Sequence, residues 1–350
     1  MERAVYRIID ANFNRAREAI RVIEEFCRFW LNSDSLTGRA KQLRHDLSSA
    51  ISKLNAGCLI SCRDTLGDVG VGKTVQNQLR RADLKDCFTA GCKRLTEALR
   101  VLAETMQVID PLAAKTMERL RYEAYTLEKD IVVFSDTSEK FKPVKLYVII
   151  TNNLPADIIS LAVRIAAAGA DCLQLRMKDI KDDELFAMAS EFVKICKDAG
   201  ILSIINDRVD IAVAAGADGV HLGQNDLPAE EVLKLQLSPL IIGKSTHSLE
   251  EVQKASRQQL TYVGLGPVFA TPTKPTVKPV GLDYVRGAVE VLADSGISNV
   301  AIGGITLDNV NEVLAAGAKA IAVCSAVTKS SDPAATCRAL KEKITAFNKE

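Results

Sequence analysis

What the chain lacks narrows its reading first. Among 350 residues there are three histidines and one tryptophan, and none of the nine cysteines forms a CxxC spacing. A structural zinc site, which gathers four Cys or His ligands, has little to be built from. The cysteine count is odd and the thiols are scattered through apolar positions, Cys58 and Cys62 being the nearest pair. That fits reduced core thiols better than a disulfide framework. An excess of one charge is also absent: 45 basic side chains stand against 44 acidic ones, which argues against nucleic acid or a membrane surface as the main partner. No segment supplies the roughly 18 uncharged apolar residues of a membrane span, and the start, MERAVYRIIDANFNR, has no apolar signal core. The expectation is a cytoplasmic protein acting on small molecules. A homo-oligomer is compatible with the sequence, which does not specify one.

The length exceeds one average domain, so the prior is two domains or one barrel with an addition. Residues 1–134 are mostly helical in pattern, and the polar, proline-containing segment SDTSEKFKPVK, 135–145, reads as a linker. From 146 to 350 the pattern changes. Apolar runs at 146–151, 172–178, 202–207, 219–223, 240–246, 262–266, 299–304 and 320–325 each precede a helical stretch. Near-continuous apolar strands separated by helices indicate a parallel sheet covered on its outside, and eight such units fit an α/β fold of the closed (β/α)8 TIM-barrel type. A doubly wound sheet is the alternative. The recurring AAGA at 167–170, 214–217 and 315–318 reads as ordinary helix termination.

Barrel enzymes of this type act at the C-terminal ends of their strands, so the polar residues there form one candidate set. Gln174, Arg176 and Lys178 alternate and share a face; in a small barrel that face is interior, where unpaired cations are costly and a bound polyanion would compensate them. Pairing of these cations with Asp179 or Asp182 is the bland alternative. Asn206 and Asp207 end the third strand and Asp226 follows the fourth. Two carboxylates on neighbouring strand ends suit Mg²⁺, which keeps water and substrate phosphates in its shell, although either alone reads as an N-cap. Ser245 follows on the fifth strand. After the sixth, GPVFATPTKP places Thr271, Thr273 and Lys274 among three prolines, hydroxyls and an ammonium on a loop of restricted entropy, which reads as a lid. Gly303 and Gly304, then Cys324 and Ser325, occupy the loops after strands seven and eight, the usual phosphate site of the fold. Backbone amides there, aided by a helix N-terminus, can hold a phosphomonoester.

Taken in order, QLRMK, IINDRVDIAVAAGADGVHLGQND, GKSTH, GLGPVFATPTK, AIGGI and CSAV closely resemble the thiamine-phosphate synthase family over essentially all of 145–349. The resemblance implies condensation of hydroxymethylpyrimidine diphosphate with thiazole phosphate, releasing diphosphate. By the same resemblance Gln174 touches the aminopyrimidine, while Arg176, Lys178, Asn206, Ser245 and Lys274 hold the diphosphate, Lys178, Ser245 and Lys274 being the catalytic candidates. Asp207 and Asp226 hold Mg²⁺; Thr271, Thr273, Gly304, Cys324 and Ser325 receive the thiazole phosphate. Asn152, Met177 and Cys324 depart from the family pattern without removing a phosphate ligand. A barrel of the related thiazole tautomerases is the alternative, and Arg176, Lys178 and Lys274 discriminate against it, since a tautomerase has no diphosphate to hold.

The first 134 residues repeat themselves. Arg15, Glu18, Arg21 and Glu25 recur 79 positions later as Arg94, Glu97, Arg100 and Glu104, and LRHD at 43–46 is echoed by LRYE at 120–123. Two related helical hairpins are expected, with the duplicated charges sharing work in a cleft or forming a solvated flank. GDVGVGKT, 67–74, satisfies the P-loop pattern literally, but a P-loop needs a strand leading into it and a parallel sheet around it. A different anion loop with Arg63, Asp64, Asp68 and Gly70 fits a helical half better. RIIDANFNRAREAIRVIEEFCRF and RDTLGDVG resemble the domain, fused to some thiamine-phosphate synthases, that is associated with a noncanonical hydroxymethylpyrimidine-phosphate kinase. That role would need ATP or another phosphoryl donor and Mg²⁺ ligands. A non-catalytic dimerisation or regulatory module is the competing expectation.

Overall fold

The computed structural model describes all residues except 1, 55, 74–79, 152–154, 236–238, 272–276 and 348–350. Two compact units divide between residues 132 and 133.

The first unit is helical. It contains α1 (Glu2–Glu25), a π-helical turn (Phe26–Trp30), α2 (Asp34–Ile51), α3 (Ala56–Ser61), α4 (Leu84–Met106) and the start of α5 (Pro111–Phe141). On α1, Val5, Ile9, Ala16, Ala19, Ile20 and Ile23 recur at helical spacing and are buried. The α1 and α4 backbones approach closely at Gly91, where a Cβ would lie 3.4 Å from the Val22 side chain and 3.6 Å from the Ala19 carbonyl oxygen. Local signals set the helix starts. Ser33 accepts the Leu36 N–H at 3.4 Å at the head of α2, and Asp83 accepts that of Asp86 at 2.8 Å at the head of α4. Helix α1 packs against both α2 and α4, and Arg100 of α4 reaches Glu118 of α5 at 3.9 Å.

The segment expected to be a linker is not one. Helix α5 runs through it to Phe141, and the division between the units falls inside that helix. Ser135 and Thr137 are buried although polar, and the Thr137 hydroxyl donates back to the Val133 carbonyl at 2.9 Å. That bond satisfies Thr137 within its own helix, whereas the Ser135 and Ser138 hydroxyls are buried without a partner among the described residues. Pro143 lies two residues past the helix end, where it costs the helix nothing.

The second unit is a closed parallel barrel in the order β1 to β8. Its elements are β1 (Leu146–Thr151), α6 (Pro155–Ala167), β2 (Cys172–Arg176), α7 (Asp182–Asp198), β3 (Leu202–Asn206), α8 (Val209–Ala215), β4 (Gly219–Leu222) and α9 (Ala229–Leu235). Then come β5 (Ile241–Thr246), α10 (Leu249–Ala255), β6 (Tyr262–Leu265), α11 (Gly281–Leu292), β7 (Ser298–Ile302), α12 (Val310–Ala315), β8 (Ala320–Val323), α13 (Ser325–Thr328) and α14 (Pro333–Phe347). All eight strands fall where the apolar runs predict. Each AAGA ends a helix, with its glycine left-handed; Gly216, at φ 70°, caps α8.

Alternate residues point inward along each strand, and the pairing register aligns them into layers. Tyr147, Cys172, Ile204, Ile241, Tyr262, Val300 and Ala320 pack together inside the barrel with Phe141 and Val144. The Phe141 ring lies flat on Tyr262, with centroids 4.3 Å apart. The end of α5 thus plugs one end of the barrel interior. Gly243, paired with Tyr262 across β5 and β6, makes room for that ring, because a Cβ there would fall 2.1 Å from Tyr262 Cζ. Gly243→Ala is expected to destabilise the barrel by about 1–3 kcal/mol or more, the usual range for overpacking a full core. Thermal melting of the purified variant would show it as a transition several degrees below that of the parent.

Candidate active site

At the opposite end of the interior the inward-facing residues become polar and line a cavity of about 330 Å³. Its walls include Gln174 and Arg176 from β2, Asn206 from β3, His221 from β4, Ser245 from β5, His247 after it, and Thr271, Gly303, Gly304, Cys324 and Ser325 from the later loops. Of the sequence-predicted barrel residues, Gln174, Arg176, Asn206, Ser245, Thr271, Gly304, Cys324 and Ser325 thus share one cavity. Lys178, Asp207 and Asp226 stand outside its lining. Thr273 and Lys274 lie outside the described residues, as do Asn152 and two of the lid prolines.

Strand β2 ends at Arg176, two residues earlier than the alternation predicts, so Lys178 is an exposed residue past the strand rather than an interior one. Arg176 donates to the Thr151 hydroxyl at 3.3 Å. Asp182 pairs with Arg208, 2.5 Å away, and so is taken by another partner than Arg176 or Lys178.

Asp207 follows β3 in a left-handed conformation, φ 62°, held by its N–H bond to the His221 carbonyl at 2.8 Å. Burial, together with the hydrogen bond and charge of Asp226, raises its carboxyl to about 6, while Lys178 and Arg176 oppose the shift. Two carboxylates that resist joint ionisation create a demand for a cation. Asp226 is itself aimed by accepting the Gly223 N–H at 2.6 Å. Among the described residues no third His, Cys, Asp or Glu completes a metal cluster. A pair of this kind fits Mg²⁺, which takes most of its shell from water and phosphate, and does not fit a structural transition-metal site.

The loops after β6 and β7 are pressed together. Val268 and Phe269 donate to the carbonyls of Ile302 and Gly303 at 2.8 and 3.0 Å. Gly303 and Gly304 have φ of 103° and 65°, and a Cβ on Gly304 would fall 2.6 Å from the Ala270 carbonyl oxygen, so the GG pair is a packing requirement. Asn309 fixes the turn, donating to the Gly304 carbonyl at 2.9 Å and accepting from Thr306 N–H at 2.8 Å. The helix beyond Cys324 is a single turn, α13.

Sequence reasoning missed His221, Tyr147, Tyr262 and His247. Inside the barrel, Gln174 Nε2 lies 2.7 Å from Tyr147 Oη, Tyr147 Oη 2.9 Å from Tyr262 Oη, Tyr262 Oη 3.0 Å from His221 Nδ1, and His221 Nε2 2.9 Å from Ser245 Oγ. The available signal was a lone histidine within the four-residue apolar strand GVHL. His247 is set by the head of α10, where Ser248 accepts the Glu251 N–H at 3.2 Å and Glu251 accepts from His247 N–H at 2.7 Å.

In the helical unit the candidates do not converge. Arg15, Glu18, Arg21, Arg94, Glu97 and Arg100 are all exposed. Arg21 reaches Glu24 at 3.4 Å and Arg100 reaches Glu104 at 2.6 Å, the arrangement of a solvated flank. A cavity in this unit is lined instead by Arg39, Gln42, Asp46, Arg119, Tyr122 and Glu123, beside the second sequence echo. No strand occurs among the described residues of this unit, so GDVGVGKT lacks the setting of a P-loop; Thr74 lies outside the described residues. Arg63 makes two 2.8 Å bonds to the buried Asp10. Asp64 and Asp68 accept the Gly67 and Gly70 amides at 2.8 and 2.9 Å. An anion entering this loop would have to displace those carboxylates.

The barrel and its cavity define a class: (β/α)8 enzymes with a polar pocket at the C-terminal ends of their strands. A family model described as thiamine monophosphate synthase matches residues 146–327, and one described as the ThiD2 family matches residues 7–130. A thiamine-phosphate synthase of a Synechocystis species is 37% identical over 346 residues, covering 99% of this chain and 98% of the relative. That of Rhodopirellula baltica is 39% identical, covering 93% and 88%. Among solved structures, a thiamine phosphate pyrophosphorylase from Pyrococcus furiosus is 34% identical with a TM-score of 0.55, covering 60% of this chain and 98% of that one. The chain belongs to the thiamine-phosphate synthase family, transferases of thiamine biosynthesis, and carries a ThiD2-family region ahead of the barrel. The tautomerase alternative is not favoured, because the relatives that match the whole chain are synthases.

The shifted carboxyl gives a signed prediction. Its pKa is raised in the folded state, so between its ordinary value and about 6 the native protein holds the extra proton; stability is lost as pH rises through that window. Asp207→Asn removes the ionisable group and should melt higher than the parent at pH 7.5 in EDTA, with the margin shrinking toward pH 4.5. Thermal scans at both pH values check this, and added Mg²⁺ should raise the parent more than the variant.

Proposed function

We propose that the barrel joins hydroxymethylpyrimidine diphosphate to hydroxyethylthiazole phosphate, forming thiamine phosphate and diphosphate. The observation that carries this reading is one cavity with a wall of one guanidinium, two amides and a hydroxyl at Arg176, Gln174, Asn206 and Ser245 and a second wall of backbone and hydroxyls at Thr271, Gly304, Cys324 and Ser325. Two anionic substrates need two such walls. Asp207 and Asp226 would hold Mg²⁺, whose charge offsets that of the leaving diphosphate. Arg176, Lys178 and Lys274 supply further positive charge as the carbon–oxygen bond breaks. The electron-rich aminopyrimidine stabilises the methylene cation, and the thiazole nitrogen captures it with its lone pair. The side chains therefore position substrates and neutralise charge, and no strong protein base is required.

We further propose that residues 1–134 phosphorylate hydroxymethylpyrimidine monophosphate with ATP, making the diphosphate the barrel consumes, and that the protein works in the cytoplasm. The match to the ThiD2 family and the bidentate Arg63–Asp10 pair, which pins the glycine-rich loop to α1, support a site near that loop. No helix among the described residues is long and apolar enough to cross a membrane.

The test uses full-length protein with Mg²⁺ and thiazole phosphate, supplied either with the pyrimidine diphosphate or with ATP and the monophosphate. Thiamine phosphate in both tubes is expected; product only from the diphosphate would reduce the helical unit to a non-catalytic module. Asp226→Ala should lower turnover by at least about a hundredfold, the scale of losing an electrostatic element of a transition state. Parent-like turnover in that variant would sink the metal assignment.

A further inference from the structure

The chain of hydrogen bonds from Gln174 to Ser245 has a direction, and the direction has a chemical meaning. Tyr147 and Tyr262 are each 1% exposed and Gln174 is 2% exposed, so their polar atoms must find partners inside the barrel. Burial raises both phenols well above their ordinary values, and they stay protonated. An amide nitrogen can only donate. Gln174 Nε2 gives a proton to Tyr147 Oη; either atom can donate between Tyr147 and Tyr262 and between Tyr262 and His221, and the assignment that continues the donation has Tyr147 giving to Tyr262 Oη and Tyr262 to His221 Nδ1. An imidazole that accepts at Nδ1 carries its proton on Nε2, and Nε2 faces Ser245 Oγ at 2.9 Å.

We propose that His221 is a positioning residue: the two buried tyrosines hold it as the Nε2–H tautomer, and by donating to Ser245 Oγ it turns the serine proton toward the ligand. The inference rests on the diphosphate reading of the cavity, because phosphate oxygens at this site are acceptors and need a donor. The other end is matched in the same way. With Nε2 engaged by Tyr147, Gln174 presents Oε1, an acceptor, to an amino group on the pyrimidine. Reversing the amide would reverse every bond in the chain, leaving Ser245 donating to His221 and offering the diphosphate only lone pairs. The Gln224 amide, donating to the Ser245 carbonyl at 2.6 Å, fixes the serine backbone meanwhile.

Nitrogen-15 NMR of histidine-labelled full-length protein, ligand-free at pH 7.5, tests this directly. The chain has three histidines, and loss of one signal set in His221→Gln assigns the residue. His221 is expected as a neutral ring with a pyridine-like Nδ1 and a protonated Nε2, and Tyr262→Phe, which keeps the ring on Phe141, should give a mixture of tautomers. In steady-state assays Tyr262→Phe should lower kcat about five- to tenfold, the scale of one misdirected hydrogen bond, with KM for the pyrimidine diphosphate nearly unchanged. Tyr147→Phe should act in the same direction. An Nδ1–H ring in the parent, or a parent-like tautomer and kcat in Tyr262→Phe, would overturn the proposal. The spectrum needs no substrate, so an inactive parent would refute the function without touching the tautomer.

Discussion

A phenol buried in an apolar barrel must be paired, and the pairing of Tyr262 organises the second unit from end to end. One face of its ring carries Phe141 from the end of α5, while its hydroxyl meets Tyr147 and His221. The ring needs Gly243 beside it on β5. Side chains that close one end of the barrel are therefore continuous with those that face the cavity at the other. Packing and polarity are usually separate problems in a core; at Tyr262 they are solved by one residue.

The mouth follows different physics. Asp207 and Asp226 are set close enough to disfavour joint ionisation, and Asp207 sits in a left-handed conformation that costs about 1–3 kcal/mol for a non-glycine residue. That strain and repulsion are held by the backbone bond to β4 and by the turn at Gly223. Arg176 at the end of β2 and Lys178 just past it act on the same region. A nearby cation would relieve an arrangement of this sort, because its charge would let both carboxylates ionise.

Legibility in the sequence tracked how local each signal is. Eight strands could be read because each is a nearly unbroken apolar run; Gln174 and Arg176 could be read because alternation along a strand assigns a side, and Asn206 and Ser245 because they stand at the C-terminal ends of their strands. Lys178 was placed on that face too, but β2 stops at Arg176 and the alternation has no meaning past it. The segment 135–145 misled for a subtler reason: it is polar in composition, yet it continues α5, with the Thr137 hydroxyl returning its proton to the preceding turn while those of Ser135 and Ser138 are buried without a partner among the described residues. His221 went unread because its partners, Tyr262 and Ser245, come from strands 41 and 24 positions away, separations no local pattern records.

The helical unit shows the same limit from the other side. Its duplication was plain in the sequence, but repetition of Arg15, Glu18 and Arg21 as Arg94, Glu97 and Arg100 does not bring the six together; they remain on exposed helix surfaces. What the two copies share is burial of the apolar position, Ala19 in one and Ala98 in the other. The charged positions beside it then repeat with the helix phase. What is particular to the first copy is Asp10, buried and clamped to Arg63; its counterpart 79 positions on is Thr89, which bonds only within its own turn. Asymmetry of that kind, at one end of a duplicated pair, is a better guide to where chemistry was added than the symmetry itself.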